Sequence, residues 1–220
     1  MKLMTRTIAA VLLSASALCV SASAQKIDKG MVTPAAPSPV SYGLVVDNSG
    51  SFRLLLDKVI SVVADVIETQ SPEDEAFLVT FVDTPKIALR QELTNRKTEL
   101  RDAAQNMYIE GGPTAILDAV KSAADYLDEN GSKEPAGRLR SLVLVTDGDD
   151  RESKTKIEEL LIILRERNIR VFVIAMSDVR MNTKLVGRLS KETGGLVYLP
   201  KNKAELATAA KELSVAMRSK

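Results

Sequence analysis

The 220-residue chain contains no histidine, no tryptophan and a single cysteine, and aromatic residues make up only 4% of it. Each shortage excludes a chemistry. Without histidine there is no Ser-His-Asp triad and no Cys-His pair. A zinc site built on imidazoles or on several thiolates is excluded too. No charge of one sign dominates: 30 Lys and Arg stand against 29 Asp and Glu, a formal net charge of +1. That is not the electrostatic footprint of a nucleic-acid-binding surface. Neither a Gly-x-Gly-x-x-Gly nor a Walker loop follows any apolar run. What remains is an ordinary globular balance, 45% hydrophobic and 27% charged, on a chain long enough to bury a core without disulfides.

The start of the chain reads as a leader. Lys2 and Arg6 precede an apolar run from Ile8 to Val20, and Ala22-Ser23-Ala24 offers an A-x-A cleavage site. The run falls short of the ~20 residues of a membrane span; an uncleaved N-terminal anchor is the alternative. Residues 1–24 are therefore expected to be a signal peptide, which removes Cys19 and leaves a thiol-free exported chain, periplasmic or secreted, with no transmembrane span. Residues 25–40, with Pro34, Pro37 and Pro39, are expected to form an extended tether.

From residue 41 to 220 strands and helices alternate. Short unbroken apolar runs at Gly43–Val46, Ala76–Val82, Leu142–Val145, Val171–Met176 and Leu196–Leu199 predict strands covered on both faces, and Lys86–Arg90 predicts an edge strand behind Pro85. Helical spacing appears in Leu56/Ile60/Val63/Ile67, Ile116/Val120/Ala124/Leu127, Ile157/Leu160/Leu161/Leu164 and Leu206/Ala210/Leu213/Met217. The pattern predicts an α/β domain, Rossmann-like and doubly wound, with a mostly parallel sheet between two helical layers. Ligands of such sheets sit beyond the carboxyl ends of strands, where strand order reverses.

Three segments there carry oxygen-bearing side chains. Asp47-Asn48-Ser49-Gly50-Ser51 follows the first strand, Gly111-Gly112-Pro113-Thr114 opens a helix, and Thr146-Asp147-Gly148-Asp149-Asp150 follows a buried strand. Asp47, Ser49, Ser51, Thr114 and Asp147 could converge on one centre. All-oxygen ligation with two carboxylates suits a hard divalent cation: Mg²⁺ first, with Mn²⁺ or Ca²⁺ as alternatives. An ion with an unfilled position would attract a carboxylate from a partner protein, which is binding chemistry without a general base; no catalytic residue is assigned. Taken singly the motifs are weak, since Asp-x-Ser-x-Ser should occur by chance in roughly one such chain in twenty. Ser51 and Thr114 also have ordinary readings as helix N-caps. Asp118, Asp149 and Asp150 are candidates to orient ligands from behind. For Asp118 a favourable charge near a helix N-terminus serves equally well, and Asp149 and Asp150 read equally as the start of the next helix.

Together, in order, the three segments resemble those of the von Willebrand factor type A domain family, and more narrowly its exported bacterial branch. The resemblance runs from about Val40 to the C-terminus and implies a metal-ion-dependent adhesion site with Asp47, Ser49, Ser51, Thr114 and Asp147 as ligands. It implies protein–protein interaction or adhesion through an acidic residue of a partner. Pro113 stands where many members have glycine, with local stiffening as the expected effect. The chain also stops soon after its last helix, where similar bacterial proteins often continue. In some adhesion members the last helix slides as the site opens; here its stripe reads first as core packing. Two other readings stand beside this one: a Mg²⁺-dependent phosphohydrolase with Asp47 as nucleophile, which lacks the usual second Asp because position 49 is Ser, and a structural domain that uses no metal.

Overall fold

In the computed structural model the described residues are 38–133, 136–148, 150–176 and 183–219. The expected signal peptide, residues 25–37 of the tether, and Asp149 lie outside them. The chain divides into two units, Met1–Ala35 and Ala36–Lys220, and all described residues belong to the second.

Six strands form one sheet: β1 (Val40–Asp47), β2 (Glu75–Phe81), β3 (Ala88–Thr94), β4 (Leu139–Thr146), β5 (Ile169–Ala175) and β6 (Val197–Tyr198). Their order is β3-β2-β1-β4-β5-β6, and every neighbouring pair is parallel except β2 with β3. The helices are α1 (Leu56–Glu68), α2 (Lys97–Gln105), α3 (Ile116–Asn130), α4 (Ile157–Glu166), α5 (Lys184–Thr193) and α6 (Lys203–Arg218). The expected doubly wound architecture is the one observed.

Strand pleating explains the two layers. Along β1, Tyr42, Leu44 and Val46 enter one core with the buried faces of α1, α2 and α6. Val45 enters the other, beneath α3, α4 and α5. Because both faces are covered, β1 is buried along its whole length and reads as a continuous apolar run rather than an alternation. Each of these aliphatic side chains contributes about 1.5–3 kcal/mol by leaving water. Gly43 faces the second core. A Cβ there would stand 2.3 Å from the ring of Phe77 and 2.8 Å from Leu142. The missing side chain lets Phe77 cross over β1 and reach Tyr126 of α3, with ring centroids 4.7 Å apart.

Several expectations are corrected. The stripe chosen for α1 is rotated: Val59, Val62, Val63, Val66 and Ile67 are buried, whereas Leu56 and Ile60 lie half-buried at its margins. Both lie at the edge of a wide apolar face opposite Asp57, Lys58, Ser61, Asp65 and Glu68, and packing against α6 and α2 set its centre. The Leu196–Leu199 run shrinks to the two-residue edge strand β6, with Leu196 and Leu199 exposed rather than covered on both faces. The edge strand expected at Lys86–Arg90 lies at Ala88–Thr94, behind a 3-10 turn at Thr84–Lys86. Val40, assigned to the tether, is already the first residue of β1 and fully buried.

The last helix is anchored at its C-terminal end. The guanidinium of Arg170 donates to the main-chain oxygens of Ala216, Met217 and Ser219. Arg218 pairs with Asp74, whose side chain is wholly buried and also accepts from the Val40 and Ser71 amides. Leu206, Ala210, Leu213 and Met217 are all buried, as expected of core packing.

Candidate metal centre

Strand order places the site. β1 pairs with β2 on one side and β4 on the other, and in that register Val46 stands beside Val145. The carboxyl ends of β1 and β4 therefore lie next to each other at the point where strand order reverses. Asp47 ends β1 and Thr146 ends β4.

Asp47 is 1% exposed, and both its carboxylate oxygens are held. One accepts the Ser49 amide at 2.9 Å and the other the Thr146 hydroxyl at 2.9 Å. The Thr146 hydroxyl in turn accepts the Gly148 amide at 3.1 Å, which fixes the turn after Asp147. Ser49 and Ser51 place their hydroxyl oxygens 3.0 Å apart. Ser51 is not a helix N-cap: it lies inside the 3-10 turn Gly50–Leu54, and α1 begins only at Leu56. Burial is the largest influence on Asp47 and pushes its carboxyl up to about 6; the hydrogen bonds from Ser49 and Thr146 pull down, and the charge of nearby Asp147 adds to the rise. The charge of Asp147 thus opposes the ionisation of Asp47, an arrangement that a cation relieves.

The second segment is tied to the other two through the backbone. Asn48 is buried; its side-chain amide donates to the Tyr108 carbonyl at 3.0 Å, and its own carbonyl accepts the Glu110 amide at 2.9 Å. Gly112 has φ +151°, and a Cβ there would press on Val82 at 2.9 Å and on Asp83 at 3.1 Å. Glycine is required at that turn. Thr114 follows, 5% exposed, and its carbonyl accepts the amides of Arg151 and Glu152 at 2.8 and 3.2 Å. Nor does its hydroxyl cap α3. That cap is supplied from the third segment: the Ile116 amide donates to the Asp150 carboxylate at 2.7 Å and the Leu117 amide to the Ser153 hydroxyl at 2.9 Å.

Asp118 returns the favour. Its carboxylate accepts the amides of Lys154 and Thr155 at 3.1 and 2.8 Å, and the Thr84 hydroxyl. Burial alone would raise this carboxyl, but hydrogen bonds from Thr155, Thr84 and the Lys154 amide outweigh it and lower it to about 2. Asp118 and Asp150 thus act as reciprocal clamps between α3 and residues 150–155. Asp150 does not start the next helix, since α4 begins at Ile157.

The structure therefore brings Asp47, Ser49 and Ser51 into direct contact, sets Asp147 electrostatically beside Asp47, and carries Thr114 to the same end of the sheet. Sequence reading assigned no role to Asn48, Thr146 or Ser153. Their signal was present only as polar residues inside or next to the motifs.

The donor set fits a small hard cation. Among the described residues no three His, Cys, Asp or Glu side chains converge, so a metal centre here must draw on hydroxyls. Neighbouring ligands of an octahedral Mg²⁺, each about 2.1 Å from the ion, lie about 3.0 Å apart. The two serine oxygens have that separation.

Comparison with known proteins fixes the family. The von Willebrand factor type A domain model matches residues 43–212. The chain belongs to that family. Solved structures agree on the fold. BatB from Bacteroides thetaiotaomicron superposes with a TM-score of 0.66 at 16% identity, over 82% of this chain and 100% of its own. An aerotolerance-related membrane protein from Bacteroides fragilis gives 0.64 at 17% identity, over 81% and 98%. A von Willebrand factor type A protein from Catenulispora acidiphila gives 0.68 at 14% identity, over 82% of this chain and 43% of its own. Among the described residues no helix is long and apolar enough to cross a membrane.

Proposed function

We propose that this von Willebrand factor type A domain is an exported protein-binding module that works through a divalent cation, Mg²⁺ before Mn²⁺ or Ca²⁺. Asp47, Ser49, Ser51, Thr114 and Asp147 would hold the ion, making the three segments a metal-ion-dependent adhesion site. When bound, the cation supplies an electrophilic coordination position for an Asp or Glu carboxylate of a partner protein. The chain's own residues build that position. Thr146 orients Asp47, Asn48 staples the first segment to Tyr108 and Glu110 just ahead of the second, and Asp118 and Asp150 lock the third against α3. The observation that carries the reading is the 3.0 Å pairing of the Ser49 and Ser51 hydroxyls beside a buried Asp47 whose carboxyl is pushed up to about 6. Such a cluster gains most from a cation that separates its negative charges.

Binding fits better than catalysis. A phosphohydrolase of this kind would carry a second Asp two residues after its nucleophile, and position 49 is Ser. The leader-like residues 1–24 support export, and the domain would then act in a periplasm or outside the cell.

Thermal shift with Mg²⁺, Mn²⁺ and Ca²⁺, run with a panel of generic phosphomonoesters and phosphodiesters, tests the reading. Saturable stabilisation by Mg²⁺ or Mn²⁺ that Thr114→Val weakens, with no turnover of any ester, is the expected result. Turnover abolished by Asp47→Asn would replace binding with hydrolysis.

A further inference from the structure

Asn48 stands between the proposed ligands Asp47 and Ser49, and its attachment to the rest of the molecule is one-sided. Its side-chain nitrogen donates to the Tyr108 carbonyl at 3.0 Å and to the Glu110 carboxylate at 3.4 Å. Its side-chain oxygen is buried with no hydrogen-bond partner among the described residues. In the main chain Asn48 donates to the Phe81 carbonyl at 3.1 Å and accepts the Glu110 amide at 2.9 Å. Three of these four bonds run to Tyr108 or Glu110, which lie in neither a helix nor a strand. The placement of Asn48 therefore depends on what holds those two residues.

Arg90 of β3 grips both. Its guanidinium lies over the Tyr108 ring at 5.0 Å from the centroid, donates to the Tyr108 hydroxyl at 3.3 Å and stands 3.8 Å from the Glu110 carboxylate. Its Nε donates to the buried Thr80 hydroxyl at 2.7 Å. Thr80 is the β2 residue beside Val46, one position before Asp47. A planar guanidinium suits this task because it stacks on a ring while donating from its edge. The backbone delivers it. In the pairing of β2 with β3, Leu78 stands opposite Gln91 and Val79 opposite Leu89, so Arg90 is an extra residue, the bulge of an edge strand. A bulge interrupts the ladder and re-aims a side chain, a device common next to functional sites.

We propose that Arg90 is a positioning residue for the cation: through Tyr108 and Glu110 it sets Asn48, and through Asn48 the placement of Asp47 and Ser49. The proposal rests on the metal-binding reading above. Position and charge pull in opposite directions here. Arg90 has the ion's own sign of charge and pairs with the Glu110 carboxylate. On charge alone its removal would tighten binding of a cation; loss of position would weaken it.

Mn²⁺ affinity of the full protein, measured for the parent, Arg90→Met and Tyr108→Ala with melting temperatures in EDTA beside it, tests the role. Methionine keeps an apolar stem and removes the fork. Tyr108→Ala removes the half-exposed ring on which the fork rests and leaves the charge unchanged. Both variants should bind Mn²⁺ about fivefold more weakly, less than the ~10–100-fold lost when a group that touches a ligand directly is removed. An arginine that served stability alone would lower the melting temperature and leave the Mn²⁺ affinity of the folded protein unmoved. Parent-like affinity in either variant, or tighter binding by Arg90→Met, would overturn the positioning role and leave the metal reading intact. No saturable Mn²⁺ binding by the parent would overturn both.

Discussion

Asp47 carries the largest tension at the residue scale. It is buried, its ionisation is opposed by burial and by Asp147, and its carboxyl is pushed up to about 6. A folded value above the ordinary 3.8 means that the folded state holds the proton longer. The stabilising contribution is complete below about 3.8 and is lost as pH rises through about 6. At neutral pH the metal-free protein bears a penalty of roughly 3 kcal/mol, two pKa units at about 1.4 kcal/mol each. Asp47→Asn keeps an acceptor for the Ser49 amide and removes the charge. It should therefore raise the melting temperature in EDTA at pH 7.5 by several degrees, at roughly 2–4 °C per kcal/mol, with the gain vanishing near pH 4. Scanning calorimetry at the two pH values checks this. An unchanged or lowered melting temperature at pH 7.5 would show that the charge is not the source of strain. Thr146 is the quieter residue. Thr146→Val removes the hydroxyl that holds Asp47 and the Gly148 amide without emptying volume. Mn²⁺ affinity should fall about 10–100-fold, as it does when groups behind metal ligands are removed. Equal affinity in the two proteins would deny Thr146 that role.

Elements differ in how much of them the sequence disclosed. The four buried runs of β1, β2, β4 and β5 and the stripes of α3 and α6 were legible because both faces of a parallel sheet demand apolar residues, and because a helix packed on it shows a 3.6-residue period. The two helices left unread are the most polar in composition, so their narrow apolar stripes did not stand out along the sequence. α2 buries only Leu100 and Ala104, and α5 only Val186, Leu189 and Ser190. Each turns that narrow apolar face into the core, α2 beside α1 and α5 beside α4. The site was legible as far as its three segments reached. Its supports were legible only in part: Asp118 and Asp150 stood out as carboxylates near the segments, whereas Asn48 and Ser153 did not, because they act across the chain rather than along it, Asn48 lying 60 residues from the carbonyl it donates to. At the opposite end of the sheet, Arg218 fastens α6 to β2's entry through Asp74. Arg218→Ala leaves the fully buried Asp74 charge without that partner and should cost about 3–5 kcal/mol, as breaking buried pairs does. Urea unfolding measures it, and a loss under 1 kcal/mol would mean that the Val40 and Ser71 amides alone suffice.

Across the whole molecule, the two ends of the sheet have separate tasks. The strand entries carry the anchoring of the last helix, and the strand exits carry the hydroxyls and carboxylates of the proposed site. This division follows from the topology. Strand order reverses between β2 and β4 about β1, which opens a crevice at the carboxyl ends, and α3 enters it with the cap supplied by Asp150 and Ser153. Family membership is shared with proteins of widely different sequence, so function follows from a site rather than from the fold, and the proposed site lies at those exits. The central claim is that they bind a divalent cation. Titration calorimetry of the metal-stripped protein with Mn²⁺, beside Asp47→Asn, tests it most directly. The account predicts saturable one-to-one binding in the parent, weakening as pH falls below about 6 because the proton on Asp47 competes with the ion, and no binding in the variant. A folded parent that gives no saturable heat, or a variant that binds as tightly as the parent, would contradict it.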